Sequence, residues 1–381
     1  MLFSQENLMH LYIHIPFCKQ KCSYCNFHFS TQLHSKDALI SALLKELELR
    51  KSEINSPLET IYFGGGTPSI LSDIELGKIF NKIEQHFDIQ QDAEITLEAN
   101  PDDLNAAKVK SIRQLPINRF SIGVQSFFDE DLKLMNRAHS SQEAESSIKR
   151  IQDSGFENIT IDLIYGSPTT TDKMWKYNLL KTIDLQIPHI SSYALTVEPK
   201  TLLQHQIKTK KWNQIDDEKQ ENQFNTLVEI LTKNGFDHYE ISNFGKPHFH
   251  SKHNSAYWLG KPYVGIGPSA HSFDLQTRSW NVANNSLYIK SLEKNNISRE
   301  TEILSESDRL NELTMIGLRT SYGIDLEKIK SEFSEEIFMI WKENLAPLIA
   351  DKHLIQQENT IYLSPKYRFF ADGIAAEMFI V

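Results

Sequence analysis

Short β-rich runs bounded by turn residues recur through the first half of the chain: Leu11–Ile15, Thr60–Phe63, Glu94–Glu98, Arg119–Val124, Asn158–Leu163 and Ile190–Leu195. Their length and composition predict six strands. Helical patterns lie between them. Leu39, Ile40, Leu43, Leu44 and Leu47 form one apolar stripe, and Ser72-Asp-Ile-Glu75 reads as a capping box that opens another helix. A third passes through Ile148 and Ile151 and stops at Gly155, a suitable residue for a left-handed helix end. Strands alternating with helices imply right-handed βαβ units and a parallel sheet, as a doubly wound sheet or an incomplete barrel. Polar residues mark the strand ends: Cys18 after the first, Gly64 to Gly66 after the second, Glu98 ending the third, Gln125 after the fourth, Asp162 near the end of the fifth and Tyr193-Ala194 closing the sixth. C-terminal strand ends share one face in such folds, so these residues are expected to ring the loop that follows the first strand.

The pattern changes after about residue 200. A helix is predicted from Asp217 to Asn234, with Phe224, Leu227, Val228 and Leu231 on its apolar face, and a short strand from His238 to Ile241. The stretch 242–281, dense in Gly, Pro, aromatics and His, reads as loop-rich, within an α/β extension. From Glu302 onward come amphipathic helices, a hairpin near Leu354–Leu363 and a terminal helix, a small winged-helix-like module. The chain is thus divided into residues 1–200, 201–295 and 296–381.

Composition narrows the function. No apolar run approaches the ~18 residues of a membrane span, and no apolar h-region precedes the cysteines, so a soluble cytoplasmic chain is expected. The formal charge is −10 over 381 residues, and residues 301–381 hold eight Lys and Arg against fourteen Asp and Glu, which disfavours nucleic acid as a partner.

All three cysteines, Cys18, Cys22 and Cys25, stand in the run His14-Ile-Pro-Phe-Cys-Lys-Gln-Lys-Cys-Ser-Tyr-Cys. Thiolates this close can converge on a soft metal centre, and three ligands leave a fourth position open. An iron–sulfur cluster, a zinc site completed by His14 or His28, and three unligated buried thiols all satisfy the spacing. Disulfides are the least expected, because one cysteine is always left over.

The run Leu11-Tyr-Ile-His-Ile-Pro-Phe-Cys-x3-Cys-x-Tyr-Cys resembles the cluster loop of radical S-adenosylmethionine (SAM) proteins, and Tyr-x-His-Ile-Pro-Phe-Cys marks the branch of oxygen-independent coproporphyrinogen III oxidases and related haem chaperones. The resemblance covers nearly the whole chain. It implies an incomplete (β/α)6 barrel of TIM type with a small C-terminal domain, and a [4Fe–4S] cluster on Cys18, Cys22 and Cys25 whose fourth iron is chelated by SAM. It places Gly65, Gly66 and Thr67 of Gly64-Gly-Gly-Thr-Pro68, Glu98, Tyr12 and Ala194 at that SAM. It also matches Gln125, Arg137 and Asp162, with Tyr24, Gly66 and Thr67, to residues that hold a second SAM in the oxidases. From the residues alone, the glycines read equally as a flexible turn and the polar strand ends as a buried network.

Two departures separate the branches. The oxidases carry a fourth cysteine two residues after the third, where this chain has Phe27, and Tyr12 lies only eleven residues from the first residue, whereas the oxidases usually have a longer N-terminal segment. The segments Tyr239–Phe244, His253-Asn-Ser-Ala-Tyr-Trp258 and Tyr263–His271 resemble the haem-chaperone branch, which implies haem near His253. An imidazole beside aromatic rings suits a haem iron, although such a residue also serves to order a loop. The expected function is that of a protein binding a [4Fe–4S] cluster, SAM and haem and delivering haem to acceptor haemoproteins, membrane respiratory enzymes among them. The alternative is oxygen-independent coproporphyrinogen III dehydrogenation. A flavodoxin or ferredoxin as electron donor if SAM is cleaved, a homodimer and peripheral membrane contact complete the expectations.

Overall fold

In the computed structural model, which describes residues 8–380, six parallel strands stand side by side in chain order: β1 (Met9–Ile15), β2 (Leu58–Gly65), β3 (Ile89–Ala99), β4 (Arg119–Gln125), β5 (Asn158–Tyr165) and β6 (His189–Ala194). A doubly wound sheet reverses its strand order partway; this one never does, so its crossovers run one way around an incomplete barrel. The connecting helices are α1 (Lys36–Leu49), α2 (Asp73–His86), α3 (Ala106–Ile112), α4 (Asp129–Leu134), α5 (Ser141–Asp153) and α6 (Asp172–Asp184). Their ends follow the sequence signals. Ser72 and Glu75 complete a reciprocal capping box at α2, and Gly155 turns the chain out of α5 at φ +84°.

Register explains the polarity. Leu11, Ile61 and Ile95 pair in one row and Ile122, Ile161 and Ile190 in another, all buried in the main core. The alternate rows are polar: His10 pairs with Thr60 and Thr60 with Glu94, while Asp162 pairs with Ser191. Side chains of one strand alternate between faces, so one face of the sheet carries the apolar rows and the other the polar ones.

After α7 (Leu202–Lys208) and α8 (Asp217–Lys233), the hairpin β7 (Asp237–Glu240) and β8 (Asn243–Gly245) adds to β6 in antiparallel sense. The stretch 242–281, expected to be loop-rich, carries short elements between its loops: β8, α9 (Lys252–Trp258), β9 (Tyr263–Ile266), β10 (His271–Phe273) and β11 (Thr277–Asn281). Its elements are three to seven residues long, too short for periodicity to register, and pairing makes them. β9 joins β1 in parallel, and β10, β11 and, after α10 (Asn285–Glu293), β12 (Arg299–Ile303) extend that edge to a twelve-stranded sheet. A second apolar core begins at Leu310 and includes Trp341. It joins α11 (Glu306–Arg319), α12 (Leu326–Glu332), α13 (Glu335–Ala350) and α14 (Ala371–Ala376) to a small sheet of β13 (Ile324–Asp325), β14 (Leu354–Gln357) and β15 (Thr360–Leu363).

Candidate cluster and cofactor site

The loop after β1 is fastened before it can present its thiols. Cys18 donates its backbone N–H to the Ser30 carbonyl at 3.0 Å, and Ser30 donates back to Pro16 at 2.9 Å, closing the loop at its base. Ser23, fully buried between Cys22 and Cys25, bonds Leu134 through its hydroxyl at 2.8 Å and Met135 through its N–H at 3.0 Å. Lys19 is paired with Asp102 at 2.9 Å. Sequence-distant elements therefore set the path of eight residues that have little regular structure of their own.

Cys18, Cys22 and Cys25 open into a cavity of about 620 Å3 at the C-terminal ends of the strands. Tyr24, Gly65, Gly66, Thr67, Glu98, Gln125, Arg137, Asp162 and Ala194 line the same cavity, so the structure brings together all the sequence-expected polar strand ends. Two expected residues lie elsewhere. Tyr12 is one layer below, its ring 6.0 Å from that of Tyr62 and its hydroxyl 3.2 Å from His14 Nδ1. His253 is buried in the barrel floor with both ring nitrogens engaged, 2.6 Å from Thr60 Oγ1 and 2.8 Å from Tyr257 Oη. Its imidazole has no free nitrogen for an iron in this arrangement, and the reason is the fold: α9 packs its first turn under the barrel instead of forming a surface loop.

Asn100 is the site residue that sequence reasoning missed. Its amide donates to Thr67 Oγ1 at 3.1 Å and its carbonyl oxygen accepts from Arg137 Nη2 at 2.6 Å. Thr67 donates to Cys18 Sγ at 3.5 Å and Arg137 Nη1 to Cys22 Sγ at 3.2 Å, so one amide ties together the groups that contact two of the three thiols. Its position two residues after Glu98, before Pro101, was the available signal.

The glycines answer to packing. A Cβ on Gly65 would stand 2.6 Å from the His14 ring, and one on Gly66 2.6 Å from the Phe17 carbonyl oxygen. Only residues without a Cβ let β2 pass under the cysteine loop this closely.

Charge in the cavity is held under constraint. Burial, aided by neighbouring Asp162, raises Glu98 to about 7, although Tyr62 donates to it at 2.7 Å. Burial likewise lifts Asp162 to about 6 and Cys18 to about 11, and shifts Cys25 upward. Gln125 takes a left-handed backbone, φ 68°, where β4 slips register against β5. Its Oε1 and the Arg137 Nε are buried without partners. Such orphaned atoms are costly unless a ligand meets them.

These features fit SAM and a cluster better than a single ion. Among the described residues, no group of three His, Cys, Asp or Glu is close enough to hold one metal ion, and zinc needs such convergence. A [4Fe–4S] cluster instead takes one thiolate per iron across a wider body. His14 has both ring nitrogens engaged, Nε2 3.1 Å from the His28 carbonyl oxygen and Nδ1 3.2 Å from the Tyr12 hydroxyl, and His28 Nε2 lies 2.8 Å from Asn285. Two buried carboxylates and one guanidinium with unmet polar atoms suit a ligand that carries a sulfonium, an ammonium, a carboxylate and a ribose diol. The cavity volume also lies within the ~300–1,000 Å3 of small-molecule sites.

Fold and cavity together define a radical SAM protein, and the Radical SAM superfamily matches residues 12–179, with a HemN C-terminal domain over residues 304–370. The solved structure of coproporphyrinogen III oxidase (HemN) from Escherichia coli superposes with a TM-score of 0.85 over 98% of this chain and 90% of that one, at 23% identity. The heme chaperone HemW of Lactococcus lactis is 35% identical over 93% of each chain, and that of Bacillus subtilis is 34% identical over 95% of this chain and 97% of its own. The chain belongs to the HemW family of radical SAM proteins. Membership implies a [4Fe–4S] cluster and SAM.

Proposed function

We propose that this protein is a haem chaperone, which carries a [4Fe–4S] cluster and SAM in the barrel cavity and hands haem to acceptor haemoproteins. The observation that carries this reading is similarity over more than nine-tenths of the chain, above 30% identity, to proteins named heme chaperone HemW. The likeness to the oxidase is one of fold, and Phe27 occupies the position of the fourth cysteine expected there. Among the described residues no helix is long and apolar enough to cross a membrane, so handover to a membrane acceptor would be made from its surface.

Within the cavity, Cys18, Cys22 and Cys25 would hold the cluster, and Arg137 and Thr67 would stabilise thiolate charge through the hydrogen bonds they already donate to Cys22 and Cys18. When bound, the cluster supplies a one-electron donor beside SAM. Glu98 would accept from ribose hydroxyls and Gln125 Oε1 from a ligand donor, while Gly65 and Gly66 leave backbone groups open to the methionine end. Asp162 would face the positive charge of SAM, with Tyr24 and Ala194 closing the walls.

One anaerobic preparation divided between two assays tests the reading. Stoichiometric haem binding by absorbance, with no conversion of coproporphyrinogen III in the presence of reductant and SAM, is the expected result. Turnover to protoporphyrinogen would overturn it.

A further inference from the structure

Asn100 stands where a helix cap belongs and does not act as one. It opens the short 3-10 turn Pro101–Asp103 with the extended backbone of an N-cap, φ −93° and ψ 146°, yet its side chain makes no capping hydrogen bond. Asparagine is favoured at that position because its side-chain oxygen can take up a free backbone N–H. Here the turn is anchored by other means. The Asn100 N–H donates to Ser69 Oγ at 3.3 Å, Ser69 donates to the buried Asp103 carboxylate at 2.6 Å, and Asp103 pairs with Lys19, the residue after Cys18. The side chain is thereby released toward the cysteines.

There its two ends are not interchangeable. Arg137 can only donate, so the atom 2.6 Å from its Nη2 is the amide oxygen, and the NH2 group faces Thr67 Oγ1 at 3.1 Å. A threonine hydroxyl has a single proton. With a lone pair occupied by Asn100, Thr67 sends that proton to Cys18 Sγ, 3.5 Å away. On the other side, the amide oxygen and the Gly123 carbonyl, the latter at 2.8 Å, both accept from Nη2, and Nη1 is directed at Cys22 Sγ at 3.2 Å. Gly123 is part of the fit, since a Cβ there would stand 3.0 Å from Nη2 and 3.4 Å from the amide oxygen.

We propose that Asn100 is a positioning residue that sets the reduction potential of the cluster; the inference rests on the cluster being held by Cys18, Cys22 and Cys25. Reduction adds one negative charge to the cluster and its thiolates, and hydrogen bonds to the sulfurs stabilise that charge and raise the potential. One neutral amide aims a donor at each of two ligands, so its loss acts on both at once.

The test is an anaerobic redox titration of the reconstituted full chain, followed by electron paramagnetic resonance of the reduced cluster. It compares the natural protein with Asn100→Ala, Asn100→Asp, Thr67→Val and the last two combined. Asn100→Ala is expected to lower the ratio of reduced to oxidised cluster at a fixed solution potential tenfold, a downward midpoint shift of about 59 mV for one electron. A purely structural role would change how much cluster is retained and leave the midpoint of the retained cluster where it was. Asn100→Asp keeps the shape and the acceptor for Arg137, so it reads the inference even if Asn100→Ala folds poorly. Its carboxylate draws the Thr67 proton away from Cys18, whereas its charge acts with or without that hydroxyl. Its shift should therefore be larger in the natural background than beside Thr67→Val. An unchanged midpoint in Asn100→Ala, or an Asn100→Asp shift of equal size in both backgrounds, overturns the role of Asn100 and leaves the cluster assignment standing. A natural protein that assembles no cluster overturns both.

Discussion

The polar face of the barrel sheet serves two ends in different ways. At the floor, most polar groups bond one another, although His10 Nε2 and Arg119 Nε, each 3.7 Å from a carboxylate oxygen, lack a hydrogen bond. His10 Nδ1 lies 2.9 Å from Thr60, Thr60 bonds His253, and Thr160 lies 2.9 Å from His189 Nδ1, whose Nε2 meets Tyr239 at 2.7 Å. Glu94 accepts the backbone N–H groups of Lys252 and His253 at 3.0 Å, capping α9 from below. At the mouth, the same sheet carries Glu98, Asp162 and Gln125 further along its strands, and there Gln125 and Arg137 keep buried atoms without partners. The floor is thus closed by a network of side chains and the backbone of α9, whereas the unmet atoms of the mouth face an open cavity. α9 closes the floor, its first turn held by the Glu94 carboxylate.

The sharpest break in this comparison is Cys22→Ser. It should abolish the cluster absorbance of the reconstituted protein while far-UV circular dichroism stays unchanged; a surviving cluster spectrum would sink the ligand assignment. Arg119→Ala attacks the other end. Arg119 is buried beside Glu94 at 3.7 Å and bonded to Thr160, so its loss strands a buried carboxylate and is expected to cost about 3–5 kcal/mol in urea denaturation. His253→Ala leaves Thr60 with His10 alone and removes the partner of the Tyr257 hydroxyl, with an expected cost of about 1–3 kcal/mol and no change in the cluster spectrum.

The two ends should also answer pH with opposite slopes. Burial lowers His10 to about 4 from 6.5, so the stability it contributes is present above pH 6.5 and is lost as pH falls toward 4. Burial raises Glu98 to about 7 from 4.5, so its contribution is present below pH 4.5 and is lost as pH rises through 7. Glu98→Gln should therefore flatten the decline in stability between pH 5 and 7 in protein free of cluster and SAM, measured by urea midpoints. The same variant should weaken SAM binding about tenfold, ~1.4 kcal/mol. An unchanged pH slope would reject the shifted carboxyl. The smallest effect belongs to Phe27→Ala. Phe27 is 71% exposed at the cavity rim, so its loss should change stability by no more than about 0.5 kcal/mol.

Much of the mouth was legible in the chain because strand-end chemistry is local: a β-rich run followed by Cys, Gly-Gly-Gly, Glu, Gln or Asp announces both the strand and the end that bears the site. The floor was not legible. His10, Thr60 and His253 meet across 243 residues of sequence, from 10 to 253, through side chains that by spacing alone look unrelated. The short elements within the loop-rich stretch 242–281 were not legible for the same reason, since β8 and β9 form by pairing with β6 and β1.

The sequence by itself determined six βα units, the three thiols and the polar residues that close each strand, because period-two alternation and turn chemistry act over a few residues. Only the tertiary structure decided that Asn100 joins the groups contacting two of the thiols, and that Tyr12 and His253 lie beneath the cavity. Those outcomes depend on which distant helix covers which end of the sheet, and packing sets that, not the local pattern.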